Sequence, residues 1–493
     1  MNKHSQKVSI GEKIGYSLGD GSANLVFQMM MMFQLFFYTD VFGIKATAAG
    51  VILLVARVFD AFIDPMVGII SDRTNTKWGK YRPWVIWTAV PFAVFFVLAF
   101  TTPDISERGK ILYAGVSYTL LMAIYSFNNT PYSSLGGVMT SDIKERTSLS
   151  TVRFITATIA TFIVQGLTLP LVTKFGDGNP QKGWFLTILL FACIVVVLFV
   201  ITFFTTKERI TPPVNQQTSV KQDFKDIIRN APWRAMFVLT LFLFTTLAMW
   251  GSSMSYYFNY VVDKDALFVF LKNFGLVSEA GQTYGSWHKF LDAFGLIAHD
   301  NSKVFAVGFS LFNMVGQVVT LLGVILLSRF LSNIFGKKAV FVVFLALTAV
   351  FTSLFFVVPA ENIEMIFLIN ILKSLAYAPT IPLLWAMLGD VADHSEWENH
   401  RRATGFVFAG IVFALKAGLG IGGAICGAII DAFGFIPNTI QTAEAVVGIK
   451  LTSSIIPAIT FTVGVIALLF YPITKKLNEQ VQADLTERRE REI

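Results

Sequence analysis

Two aspartates one helical turn apart, Asp60 and Asp64, share a face with Arg57. A turn separates the carboxylates by about 6 Å along the axis. Two charges that close repel, so such a pair can hold a proton or share a cation. Arg57 could instead neutralise them in a buried structural network. Four further ionisable side chains, Asp20, Arg153, Lys373 and Lys416, fall inside long apolar runs. Each costs at least a few kcal/mol at a membrane centre, which makes it a functional candidate. Lys416 lies near the middle of its run, flanked by Phe413 and Gly418, and needs a counter-charge. Asp60 and Asp64 can supply it, whether for coupling or as a structural salt bridge. Arg153 and Lys373 are closer to the ends of their runs and could reach an interface. All five histidines lie in tails or loops, so a proton or cation step must run through carboxylates. Asn128, Asn129, Pro131 and Tyr132, together with Trp385, offer amides and aromatic faces of the kind that grip a hydroxylated ring. Aromatic residues make up 14% of the chain, so any one ring is as easily packing.

These residues must be held by apolar helices. The chain has 493 residues, 54% hydrophobic and only 14% charged, with 48 Phe and a mean hydropathy of +0.62. Soluble proteins carry about a quarter charged residues. Nucleic-acid binders, disordered chains and disulfide scaffolds are excluded, leaving an all-α membrane protein. Twelve apolar runs of about 20 residues or more are expected to span, near 14–39, 46–70, 83–102, 111–137, 149–173, 184–205, 233–262, 303–327, 339–358, 364–388, 403–430 and 451–473. Backbone groups in lipid must be satisfied internally, so the runs are helices. Cys193 and Cys426 form no metal motif.

The net charge of +7 reads as loop asymmetry. With the N-terminus inside, inner segments hold 25 Lys and Arg, outer segments 10, and the apolar runs 4. Both termini are therefore expected to be cytoplasmic. The polar linker 206–232, with Pro212-Pro213, divides the chain into 1–205 and 233–493, six helices each. Ser71, Gly79 and Lys80 recur as Ser328, Gly336 and Lys337 at an offset of 257. Two pseudo-symmetric six-helix bundles with a site between them is a transporter architecture. Segment 263–302 is an outer insertion with some helical order, either a lid or a partner-binding cap.

The block Arg57…Asp60…Asp64-Pro65, followed by Ser71-Asp72-Arg73 and Lys77-Trp78-Gly79-Lys80-Tyr81-Arg82-Pro83-Trp84, resembles the glycoside–pentoside–hexuronide:cation symporters of the major facilitator superfamily. Tyr38-Thr39-Asp40-Val41, Pro131-Tyr132-Ser133 and Trp385…Asp390…Asp393 extend the resemblance over nearly the whole chain except 263–302. It implies the major facilitator fold and a cation site of Asp60 and Asp64 with the Ser126 hydroxyl. It also implies sugar contacts at Asp20, Asn129, Tyr132, Arg153 and Trp385, with Lys416 near the cation site. Asp60 and Asp64 would serve as metal ligands only if the ion is Na⁺. Ile63 stands where sodium-using members carry an Asn ligand, which favours H⁺ over Na⁺. Asn129 replaces a carboxylate and Gly19 a Lys, and the extra Lys373 would suit an anionic sugar such as a hexuronide.

The expected protein is thus a cation-coupled sugar symporter of the inner membrane, monomeric, without cofactor or nucleic-acid partner. Lys80 and Arg82 would gate the inner face against Asp142 or Glu145. A lipid or amphiphile carrier of the same fold is the main rival. An intramembrane aspartyl hydrolase built on Asp20 and Asp60 lacks the Gly-x-Gly-Asp element, since the run here is Ser17-Leu18-Gly19-Asp20. A sensor without transport is the remaining alternative.

Overall fold

The computed structural model describes residues 7–140, 142–210, 227–278, 285–399 and 404–491. Most of the linker, including Pro212-Pro213, and the centre of the insertion lie outside the described residues. The chain runs through α1 (Ile10–Phe36), α2 (Ala46–Arg73), α3 (Arg82–Ala99), α4 (Glu107–Met139), α5 (Ile143–Gly176) and α6 (Pro180–Thr205). After the linker come α7 (Ala231–Tyr256), α8 (Lys264–Asn273), α9 (Ser286–Ala293), α10 (Val304–Phe335) and α11 (Lys337–Leu354). The chain ends with α12 (Ile363–Tyr377), α13 (Thr380–Asn399), α14 (Thr404–Ala432), α15 (Ala443–Ser453), α16 (Ile455–Leu469) and α17 (Lys475–Arg491).

Local chemistry sets many of these boundaries. Ser9, Ser106, Asn179, Asn230, Asn362 and Thr442 each accept a backbone N–H in the first turn of the helix they open. Pro180 and Pro232 occupy first-turn positions where no intrahelical donor is lost. Two expected single spans are broken. The 364–388 run divides at Ala378-Pro379, where proline removes a donor. The last span begins at Ala443, earlier than expected, and divides at Ser453-Ser454, because Pro457 cannot donate to the turn before it.

Eleven spans among the described residues are long and apolar enough to cross a membrane, against the twelve expected. The one that falls short by composition is α1, 27 residues carrying Glu12, Lys13, Asp20, Gln28 and Gln34. Glu12, Ser17, Asp20, Ser22 and Gln34 are buried against neighbouring helices.

Within the first half, α1 packs on α5 and α6, α2 on α4, and α3 on α4 and α6. Within the second, α7 packs on α14 and α16, α11 on α12 and α16, and α10 on α12. Three seams join these groups: α2 with α14, α5 with α10, and α1 with α7. The α2–α14 seam is tight because glycines line it. A Cβ on Gly427 would sit 2.3 Å from the Ala46 carbonyl oxygen, and one on Gly50 3.0 Å from the Ala424 Cα.

The seams are pinned at one end of the molecule. Helices α1 and α7 both finish in a five-residue π-turn, Phe37–Val41 and Tyr257–Val261. Thr39 shares a hydrogen bond of 2.6 Å with the Tyr256 hydroxyl, and the Tyr260 hydroxyl donates to Asp40. Asn438 Nδ2 donates to the Asp40 carbonyl at 2.8 Å, and Thr47 donates to Asp431 at 2.5 Å. The insertion supplies α8 and α9. It reaches across to α5, where Lys174 donates to the Asp292 carbonyl.

Candidate functional site

Helix α2 delivers the carboxylate pair, α4 a hydroxyl and α14 an ammonium to one point. Asp60 is fully buried, at 0% exposure. Its Oδ1 accepts the Ser126 hydroxyl, and its Oδ2 stands 2.7 Å from Lys416 Nζ. The same Nζ donates to Asp64 Oδ2. One lysine thus bridges both acids across the α2–α14 seam. Arg57, on the same face of α2, makes no ion pair among the described residues. Its guanidinium lies over the Phe27 ring, 5.5 Å from the centroid. The cation that bridges the pair comes from the other half of the chain, 352 residues from Asp64. Among the described residues no group of three or more His, Cys, Asp or Glu could hold a metal ion.

Asp20 belongs to a second cluster. Arg153 of α5 donates to its Oδ1 at 2.8 Å, and the guanidinium lies over the rings of Tyr16 and Tyr132, 5.7 and 5.4 Å from their centroids. The two rings stack at 4.7 Å, and the Tyr132 hydroxyl donates to the Tyr16 carbonyl at 2.6 Å. Tyr132 is fully buried and forms a platform under Arg153. A Cβ on Gly19 would lie 2.5 Å from the Tyr132 ring, so a lysine at this position could not fit without moving that ring.

A third region is a cavity of about 370 Å³ enclosed by α1, α5, α7, α10 and α12. Amides and hydroxyls line it from both halves, among them Gln28, Gln165, Asn313, Gln317 and Asn370. Trp250 contributes an aromatic face, and among the described lining residues Lys373 is the one basic or acidic side chain. Sequence reasoning missed the amides, although their spacing was available. Asn313 and Gln317 are one turn apart, and Thr158, Thr161 and Gln165 follow one face of α5. Polar stripes inside apolar runs were the signal.

The remaining expected residues lie elsewhere. Asn129 is half-buried, while its neighbour Asn128 is committed to packing, donating to Thr88 at 2.8 Å. Trp385 is 44% exposed and lies outside the cavity lining, two turns beyond Tyr377. The Lys80–Arg82 loop is held by Glu208, which no motif or spacing singled out. Its carboxylate accepts the backbone N–H groups of Lys80, Tyr81 and Arg82 at 2.7–2.9 Å. Burial and the Asp72 carboxylate, which accepts a hydrogen bond from the Tyr81 hydroxyl, push that phenol above its ordinary range. Glu145 takes Lys13 at 2.8 Å instead of the loop, and Asp142 accepts the Glu145 N–H at 3.2 Å. Arg82 donates to the Phe203 carbonyl at 2.8 Å and lies over that ring.

The fold is that of a membrane transporter. It superimposes on the crystal structure of the nucleoside transporter NupG with a TM-score of 0.57, covering 94% of this chain and 100% of that one at 13% identity. By sequence, residues 15–288 and 300–475 match the MFS/sugar transport protein family, and the chain belongs to that family. It is 34% identical over 484 residues to YagG of Escherichia coli K12, described as a glycoside/cation symporter, covering 98% of this chain and 96% of that one. It is 33% identical over 492 residues to the isoprimeverose transporter of Lactiplantibacillus pentosus, covering 99% and 94%.

Proposed function

We propose that the protein is a secondary transporter that couples a cation, H⁺ in preference to Na⁺, to symport of a glycoside, oligosaccharide or hexuronide. The observation that carries this is the Lys416 ammonium standing between Asp60 and Asp64. A lysine bridging two membrane-embedded carboxylates offsets part of their charge when no external cation does. An arriving proton or ion competes with it, and Lys416 must then withdraw from α2. Because Lys416 belongs to α14, that exchange loosens or tightens the seam between the halves. Ion occupancy is thereby tied to which end of the molecule opens. The Ser126 hydroxyl holds Asp60 in place while its charge changes. Ile63 supplies no oxygen, so a hard cation finds few ligands, whereas a proton needs one carboxylate.

The substrate lies in the amide-lined cavity between the halves. Transport proceeds by rocking of residues 1–205 against 233–493 about the linker, in a bacterial inner membrane with both termini cytoplasmic. The glycoside/cation symporter description of YagG and the isoprimeverose transporter among its relatives support this assignment. In proteoliposomes, Asp64→Asn is expected to abolish gradient-driven glycoside accumulation while equilibrium exchange continues. Uphill uptake at the wild-type level by this variant would overturn the coupling role. Repeating wild-type uptake with and without Na⁺ at two pH values separates proton from sodium.

A further inference from the structure

Seven charged side chains lie inside the apolar runs away from their end residues: three acids, Asp20, Asp60 and Asp64, and four cations, Arg57, Arg153, Lys373 and Lys416. Asp20 is matched by Arg153, and Asp60 and Asp64 by Lys416 with Arg57 one turn away. Lys373 is the surplus positive charge. It is 8% exposed, and no carboxylate or hydrogen-bond acceptor meets its Nζ among the described residues. Aromatic faces surround it instead, with Trp250 at 4.3 Å, Phe355 at 5.7 Å and Phe312 at 5.8 Å from ring centroid to Nζ. Ring quadrupoles favour a cation there but accept none of its three N–H donors in the manner of an oxygen. A buried ammonium without an acceptor is costly, and such groups are normally paired.

The donors open onto a cavity already equipped for hydroxyl groups. Asn370, one turn before Lys373, is fixed by donating to the Phe312 carbonyl at 2.8 Å. The Gln28 Oε1, Asn313 Nδ2 and Trp250 Nε1 atoms are buried in the same lining without a protein partner. Amide and indole groups left open beside an unpaired ammonium match a ligand that carries several hydroxyls and one negative charge. We infer that Lys373 anchors the anionic group of an acidic sugar, a carboxylate or sulfonate, with Trp250 beside it and the amides of α1 and α10 reading the hydroxyls. This rests on the sugar-symport reading and narrows it. It also closes the charge balance, because a monovalent coupling ion and a monoanionic sugar together leave the loaded interior at the charge of the empty one.

The test is counterflow into proteoliposomes containing the purified carrier. Three probes matched in their ring are compared: methyl glucuronide, methyl glucoside and the 6-sulfonate analogue of the glucoside. The wild type is expected to prefer at least one acid over the neutral glucoside by about tenfold or more, the scale of a charge-assisted hydrogen bond. Lys373→Gln is expected to bring the acid-to-neutral ratio down toward one, and Lys373→Arg to keep much of it. A wild type that exchanges the glucoside as well as or better than both acids would overturn the inference while leaving sugar symport intact. Exchange of none of the three would also overturn the inference. The wild-type ratio decides even if a variant does not fold.

Discussion

A buried carboxylate is tolerated only with a partner, and the partners here come from distant parts of the chain. Asp60 has no access to water and depends on Lys416 and Ser126. Removing one member of a buried ion pair strands the other, at a cost of about 3–5 kcal/mol. Lys416→Met is therefore expected to lower the melting temperature in detergent, and adding Asp60→Asn in the same chain should recover much of the loss. A single variant that melts like the wild type would show the bridge to be energetically idle. The Asp20–Arg153 pair differs in its setting. Its guanidinium lies over two stacked tyrosines, so arginine's planar fork matters as well as its charge.

At the scale of elements, the two halves meet through equivalent pieces. The π-turns that end α1 and α7 are 220 residues apart, while the Ser-Gly-Lys echo after the second and eighth predicted spans is 257 apart. The intervening insertion accounts for the difference. Each π-turn offers its polar groups to the other, and π-turns within helices often mark functional positions. The α2–α14 seam below them depends on bare backbone. Gly427→Ala places a methyl 2.3 Å from the Ala46 carbonyl oxygen, a contact no side chain can accept, so α2 and α14 must separate there. Spin labels at Lys45→Cys and Ile440→Cys, both exposed at that end, should then show a longer distance population than in the otherwise unaltered protein. An unchanged distance distribution would mean that the seam is not what holds this end shut.

Across the whole molecule, the cross-half hydrogen bonds of the loops and π-turns gather at the end that holds Asp40, Tyr260 and Asn438. The excess of basic residues gathers in the loops at the other end. If the positive-inside rule orients the chain, the pinned end is extracytoplasmic and the site is reached from the cytoplasm. In a background with Cys193 and Cys426 replaced by Ser, Ile440→Cys should react with a membrane-impermeant maleimide in intact cells. Lys207→Cys should react only after permeabilisation. The reverse pattern would invert the topology and the direction in which the site opens.

Composition and run length established the membrane class and the helices, because lipid leaves a backbone few other choices and apolar runs of that length are hard to misread. Alpha-helical spacing put Asp60, Asp64 and Arg57 on one face, and scarcity singled out Asp20, Arg153, Lys373 and Lys416. The run of amides in α10 and α12 was equally legible, yet passed over, since a single Asn or Gln in an apolar helix raises no alarm. Helix breaks at Pro379 and Pro457 were written in the chain, although hydropathy averages across them. Most of the pairing was beyond the sequence. Only the meeting of Lys416 with the two aspartates was foreseeable, from its need for a counter-charge. That Arg57 turns to a ring, that Glu208 rather than Asp142 or Glu145 binds the Lys80–Arg82 loop, and that Lys373 is left alone are decided between segments far apart in the chain. Local sequence fixes which groups are costly to bury; only the packed halves determine which of those costs is met by a neighbour and which is left for a ligand.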